Sequence, residues 1–202
     1  MVAFAEDPIR EAVAGLQKRY ALVESVSAEF QQFYRAPGIE QAESGILLMK
    51  KPGLMRWEYR APESKLFIAD GKDTYLYTPE ERQVLVSRLS AAELRSTPLQ
   101  FLLGAGDILK SFTASRETEF PAKFERSLLF RLTPRVAEPD YSFLVVECDS
   151  GTHDLQRIVI RELSGNTSEF VFSRLATNVK ADKKQFQFSI PKGVEVVRLD
   201  ER

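Results

Sequence analysis

The chain has almost no cysteine or histidine: Cys148 and His153 are the only ones. A single thiol excludes an intrachain disulfide but leaves the compartment open. One histidine, in a Ser150-Gly151-Thr152-His153 turn, reads as a surface residue, and no Cys/His group has metal-ligand spacing. No charge sign dominates. The 28 basic and 29 acidic residues leave a net charge of −1, so no basic field exists to hold phosphates and nucleic acid is not an expected partner. Long apolar runs are missing too. The longest, Leu99 to Leu109, is broken by Gly104 and Gly106 and falls short of the ~20 residues that cross a bilayer. There is no phosphate loop, dinucleotide fingerprint or nucleophile elbow. The Glu80-Glu81 pair beside Pro79 reads as a solvated turn. Cys148 follows Leu144 and Val146 on one strand face with no histidine base placed to serve it, which marks a buried, inert thiol. The sequence therefore offers no catalytic residue, no metal site and no cofactor site.

What the chain does have lies between Glu43 and Gln83. Apolar, β-branched and aromatic runs alternate there with Lys-Pro-Gly, Ala-Pro-Glu and Asp-Gly-Lys breaks, the pattern of consecutive antiparallel strands on short connections. Met55, Trp57 and Tyr59 share one parity and Arg56, Glu58 and Arg60 the other. Successive strand side chains point to opposite faces, so one face is aromatic and soft and the other charged. On that parity Leu47, Met49, Met55, Trp57, Tyr59, Tyr75 and Tyr77 are expected on one common concave side, with Ile46, Leu48, Arg56 and Glu58 on the other. Flexible Met49 and Met55 beside rigid Trp57 suit an adaptable lining.

Around this stretch, Asp7-Pro8 opens a helix whose apolar stripe is Ile9, Ala12, Val13, Leu16, Tyr20 and Val23. Strands are expected near Val26–Tyr34, Ser44–Lys50, Leu54–Arg60, Lys65–Ala69, Thr74–Tyr77 and Gln83–Leu89. Val26, Ala28 and Phe30 share a parity. A short helix is expected after Ser90, with Glu93 completing a capping box, and one or two helices after Pro98. Strands resume near Ser127–Thr133, Ser142–Cys148, Leu155–Glu162, Ser168–Asn178 and Phe186–Ile190, with hairpin turns at Gly151 and Gly165-Asn166. No repeat or linker divides the chain, which reads as one domain over residues 1–202. The small residues of Ala3-Phe4-Ala5 read as the remnant of a secretory cleavage site, so residues 1–5 are set apart and export is expected. The fold class is α+β: an unclosed antiparallel β-barrel, strongly curved, with helices covering its concave hydrophobic face. Composition and periodicity alone go no further than a half-barrel with a hydrophobic core.

The ordered set of motifs goes further. Ser25-Val26-Ser27-Ala28-Glu29-Phe30-Gln31-Gln32 follows an amphipathic helix. Gly45, Lys50-Lys51-Pro52-Gly53, Arg56-Trp57-Glu58-Tyr59 and Pro62 come next, then Asp70-Gly71-Lys72, Tyr75, Tyr77 and Pro79. Thr97-Pro98-Leu99 and Phe186-Gln187-Phe188 with Pro191-Lys192-Gly193-Val194 complete the series. In this order the blocks resemble the periplasmic outer-membrane lipoprotein carriers, the LolA family, over nearly the whole chain. The last two look like that family's helical lid and closing strand.

The resemblance implies a periplasmic, monomeric carrier and not an enzyme, one that shelters acyl chains of lipoproteins or another lipid. It implies an inner-membrane release complex and an outer-membrane acceptor as partners. The lining it implies is Phe30, Leu47, Met49, Met55, Trp57, Tyr59, Tyr75 and Tyr77, with Leu99, Leu102, Leu103 and Leu109 turned inward from a lid over Thr97–Phe112. Gly104 and Gly106 weaken that lid as helix by ~1 kcal/mol each relative to alanine. The family commonly places arginine at the position of Lys51, where it tethers the lid through backbone hydrogen bonds. A lysine has no planar fork, so tethering by Lys51 is the point at which this chain departs. Two other readings remain: a sensor or regulatory module using the same fold to bind a lipid signal or a protein partner, and an enzyme acting on lipids.

Overall fold

The computed structural model describes residues 8–89 and 107–199. Helix α1 (Pro8–Ala21) is followed by strands β1 (Ser25–Ala36), β2 (Ile39–Lys50), β3 (Leu54–Ala61), β4 (Lys65–Asp70), β5 (Asp73–Thr78) and β6 (Gln83–Arg88). A one-turn helix α2 (Ile108–Ser111) leads into β7 (Phe112–Arg116), β8 (Ser127–Pro134), β9 (Tyr141–Asp149), β10 (Leu155–Glu162) and β11 (Thr167–Thr177). A 3-10 turn (Lys183–Phe186) and β12 (Glu195–Arg198) close the chain. Among the described residues the strands form one curved, unclosed sheet in the order β12-β6-β5-β4-β3-β2-β1-β11-β10-β9-β8-β7. Every neighbouring pair is antiparallel except β12 with β6.

Nearly every expected strand is present, but the C-terminal end differs. Phe186–Ile190 is not a strand. Phe186 ends the 3-10 turn, which Asp182 opens with a capping box, and Phe186 is buried with Leu54 and Ala181, against Leu48, on the outer face. Its alternation with Phe188 reflects burial on the sheet rather than pairing within it. The strand that closes this edge is β12, short and charged, joined in parallel register to β6. Strand β7 is not among the expected strands, and its first residue, Phe112, falls in the expected helical stretch.

Curvature brings distant strands together on one face. Phe30 of β1, Trp57 of β3, Phe130 of β8 and Leu144 of β9 belong to one cluster with Ala12, Val13, Leu16 and Tyr20 of α1. This is the concave face. Burying each large aliphatic side chain is worth roughly 1.5–3 kcal/mol, so α1 is held chiefly by its apolar stripe. Polar contacts fix its orientation. The Tyr20 hydroxyl accepts from Leu155 N at 3.0 Å, Arg19 pairs with Asp154 at 2.8 Å, and Gln17 accepts from Ile108 N at 2.7 Å. At Gly15 a Cβ would run into the His153 ring, which would have to move aside.

The outer face is covered by two separate segments. Residues 117–126 lie over β8–β11, pinned through buried Glu147, Arg157 and Glu169. Residues 178–190 cross β1–β5. Lys50 donates to Ala181 O at 2.7 Å, Arg56 to Gln185 O at 3.2 Å, and Phe188 sits against Tyr75 and Tyr77 at 5.5 and 5.6 Å.

Candidate functional site

The concave floor is built by register. Met49 pairs with Val26 and Met55, and Leu47 with Ala28 and Trp57. Phe30 lies opposite Phe172 and Gly45, and Gln32 opposite Phe170 and Glu43. The aromatic rings meet edge-on: Phe30 lies 4.9 Å from Trp57 and 5.1 Å from Tyr59, and Trp57 lies 5.7 Å from Phe170. Such pairs gain from the attraction between ring edge and ring face. At Gly45 a bulge between β2 and β3 brings the backbones so close that any Cβ would meet the Glu58 carbonyl oxygen. Only glycine fits there.

Of the lining residues expected from the sequence, the structure brings Phe30, Leu47, Met49, Met55, Trp57 and Tyr59 together on this face. Ile46, Leu48, Arg56 and Glu58 lie on the outer face, as their parity required. Leu109 packs against the same core from α2. Leu99, Leu102 and Leu103 lie outside the described residues, as do residues 1–5.

Tyr75 and Tyr77 are a correction. Tyr75 pairs with Ile68, which pairs with Arg56, and Tyr77 pairs with Leu66, which pairs with Glu58. Directly opposed residues share a face, so both tyrosines are on the outer side, against Phe188. The residues that continue the Trp57 row are Phe67, Leu76 and Leu85. Parity restarts after each turn, and β4–β6 carry apolar residues on both faces, so alternation alone could not choose. Phe170 and Phe172 were also missed. They share a parity in Ser168–Arg174, but only pairing with β1 shows that they join Phe30 and Trp57.

Lys51 sits in the β2–β3 turn with its ammonium on the end of α1. It donates to Tyr20 O at 2.8 Å and Ala21 O at 3.3 Å. The last carbonyls of a helix have no intrahelical donor and carry the negative end of the dipole. A compact cation with several N–H groups satisfies two adjacent carbonyls without a planar fork.

The reactive groups are quiet. Cys148 is fully buried; burial, with neighbouring Asp149 and Glu147, pushes its thiol up to about 12, so it is not a nucleophile at neutral pH. His153 lies in the β9–β10 turn at φ +58° against Gly15. Among the described residues no group of three His, Cys, Asp or Glu is placed to hold a metal, and no helix is long and apolar enough to cross a membrane.

Among the described residues, an unclosed half-barrel with an aromatic and thioether-bearing concave face packed beneath α1 defines a class of half-barrels with an apolar inner face. Comparison with known proteins narrows it. The family model for the outer membrane lipoprotein carrier protein LolA matches residues 21–189, and the chain belongs to this family. An outer-membrane lipoprotein carrier protein of Bordetella avium is 30% identical over 182 residues, covering 89% of this chain and 83% of the relative. One from Cupriavidus pinatubonensis is 28% identical over 202 residues, covering 98% and 89%. In fold the chain is similar to an uncharacterized conserved protein from Thermus thermophilus, with a TM-score of 0.56 at 14% identity, covering 95% of this chain and 99% of that one.

Proposed function

We propose that this protein is a periplasmic carrier that holds lipoprotein acyl chains, or those of another lipid, against its concave face and passes them from an inner-membrane release complex to an outer-membrane acceptor. The observation that carries this reading is the apolar concave face of Leu47, Met49, Met55, Trp57, Phe30 and Phe170, packed beneath α1, in a chain of the LolA family. Hydrocarbon needs no directed bonds. Each buried CH₂ contributes about 0.8 kcal/mol, so a diacylated cargo is retained by area alone. No bond is made or broken, and the carrier is not an enzyme. In this reading Lys51 tethers the cover by holding the end of α1; most of the expected lid segment lies outside the described residues.

The test is recovery of the protein from the periplasm of its native host, with mass spectrometry of what travels with it, followed by titration with a diacylated cysteine peptide. Acylated lipoprotein or lipid at near one-to-one ratio, on a monomer by sedimentation, is the expected result. A ligand-free protein that also ignores the acylated peptide would end the carrier reading. Lys51→Leu is expected to speed amide exchange in the last turn of α1 and to speed loading, with Lys51→Arg restoring both. Unchanged exchange and loading would reduce Lys51 to a turn residue.

A further inference from the structure

The concave face is not uniform along its length. At the Lys51 end its rows are Val26, Met49 and Met55, all buried. Six residues further down β2, about 20 Å of strand, the same face becomes polar. Gln32 lies directly opposite Glu43, and Tyr59 directly opposite Lys65. The Tyr59 hydroxyl donates to Gln32 Oε1 at 3.2 Å, Lys65 is ion-paired and hydrogen-bonded to Glu43, and the Lys65 ammonium lies 4.8 Å from the Tyr59 ring centre. These side chains are half-buried rather than buried; Glu43 and Lys65 keep 22% and 26% of their side-chain surface. The four groups therefore sit at the edge of the aromatic floor, where Phe30 and Phe170 end and solvent begins.

We infer that Gln32, Glu43, Tyr59 and Lys65 form a head-group subsite that orients an acyl lipid in the trough, with Lys65 donating to the ester or amide carbonyls where hydrocarbon meets the polar head. This rests on the carrier reading above. An amphiphile in an apolar groove must leave its polar end where hydrogen-bonding groups exist, because an acyl carbonyl stripped of water without a partner is costly. At the opposite end the same row continues from Met49, Met55 and Ala69 to the hydroxyls of Thr74 and Ser87 and carries no charged side chain. There the Lys51 ammonium is committed to the carbonyls of Tyr20 and Ala21, and the walls are Met49, Met55 and Val26. A lysine ammonium has three N–H donors, and Glu43 keeps it in place without taking all of them. Burial and the Glu43 charge push the Tyr59 phenol up to about 12, so it remains a neutral hydrogen-bonding group throughout the physiological range. The shared ligand chemistry is the acyl carbonyl, found both in a lipidated cysteine and in a diacyl phospholipid.

The test compares three probes on the full chain: a diacylated cysteine peptide, a diacyl phosphatidylglycerol below its critical micelle concentration, and the headless hydrocarbon dye diphenylhexatriene. Which of the two lipids binds the wild type more tightly identifies the source. Lys65→Met, which keeps the apolar stem and removes the donors, should weaken binding of that lipid about tenfold, the loss of one charge-assisted hydrogen bond. It should leave dye affinity unchanged. Glu43→Gln releases Lys65 from its ion pair but keeps the ammonium donors, so its lipid affinity should fall only about threefold, less than in Lys65→Met, with dye affinity again unchanged. Equal losses for lipid and dye, equal losses in both variants, or no loss in Lys65→Met would each overturn the subsite while leaving the carrier reading standing. A wild type that binds no acyl probe at all would instead remove the carrier reading, and the subsite with it.

Discussion

Glu147→Ala is expected to lower folding stability by about 3–5 kcal/mol, the usual cost of leaving a buried charge without its partner. Glu147 and Arg157 lie on the outer face of β9 and β10, with side chains 0% and 2% exposed, and face each other at 3.1 Å. The Glu147 carboxylate also accepts from Lys123 N and Phe124 N, each at 2.9 Å, and from Ser127 Oγ at 2.7 Å. Arg157 donates to Pro121 O at 2.9 Å. Removing the carboxylate leaves the buried Arg157 guanidinium with only its longer ion pair to Glu169 at 3.5 Å and unfastens the 117–126 segment. Glu147→Leu with Arg157→Met should recover the part of the loss that comes from the unbalanced charge, but not the part from the Lys123 and Phe124 amides, which still lack their acceptor. Denaturant unfolding of the two variants checks this; a single-variant loss below about 1 kcal/mol would mean that water reaches the site. Acid acts on the same face. Burial alone would raise Glu117, but bonds from Arg131 and from the Phe120 and Thr118 amides outweigh it and hold the carboxyl below its ordinary range. Burial is likewise outweighed at Glu169 by Lys123 and Arg35. A carboxyl whose folded pKa is depressed contributes fully above its unfolded pKa, about 4.3, and loses that contribution as pH falls through the lower folded value. Stability should therefore be flat near neutrality and fall below about pH 4. Because this network is on the opposite side from the trough, acyl binding by folded Glu147→Ala should match wild type.

How far the sequence reached depends on what each strand faces. In β3 one face is apolar and the other charged, so Met55, Trp57 and Tyr59 could be assigned to the concave side from parity alone. In β4–β6 Ile68, Val84 and Val86 are buried on the outer face beneath the C-terminal segment, while Phe67, Leu76 and Leu85 line the inner one. With both faces apolar, only register distinguishes them, and register is a property of pairs. Pairing also hides the floor of the trough, because Phe170 and Phe172 are some 140 positions from Phe30 yet lie beside it in the sheet. Glu43, Tyr59 and Lys65 are close in sequence, but Gln32 joins them only through β1–β2 pairing. Lys51 shows a different limit. Comparing side-chain chemistry with an arginine argued against a tether, while the geometry offers two carbonyls of one helix end, a target that a point donor meets.

Trp57→Ala should both destabilise the protein by about 3–5 kcal/mol and remove most of its capacity to hold acyl chains. Trp57 is 7% exposed, meets Phe30 at an interplanar angle of 65° and Phe170 at 70°, and shares its row with Leu47 and Phe67. Truncation opens a cavity at the centre of the floor, and the two ring contacts disappear with it, each worth roughly 0.5–1.5 kcal/mol beyond area. The loss takes a large part of the 5–15 kcal/mol by which domains are ordinarily stable, so binding must be read in a variant that stays folded. Trp57→Leu serves, since it keeps an apolar floor with less area and no ring edge. Its acyl affinity should fall about tenfold, in line with the hydrocarbon contact removed at roughly 25 cal/mol per Å². Trp57 is also the sole tryptophan, so intrinsic fluorescence reports this one position. Saturating diacylated peptide is expected to shift its emission to the blue as the remaining water leaves the indole. The measurement separates two ways of being buried. If lipid enters beside Trp57, emission and affinity respond together. If equilibrium dialysis shows binding while emission stays still and Trp57→Leu binds as well as wild type, the aromatic floor is plain core and the acyl chains lie elsewhere.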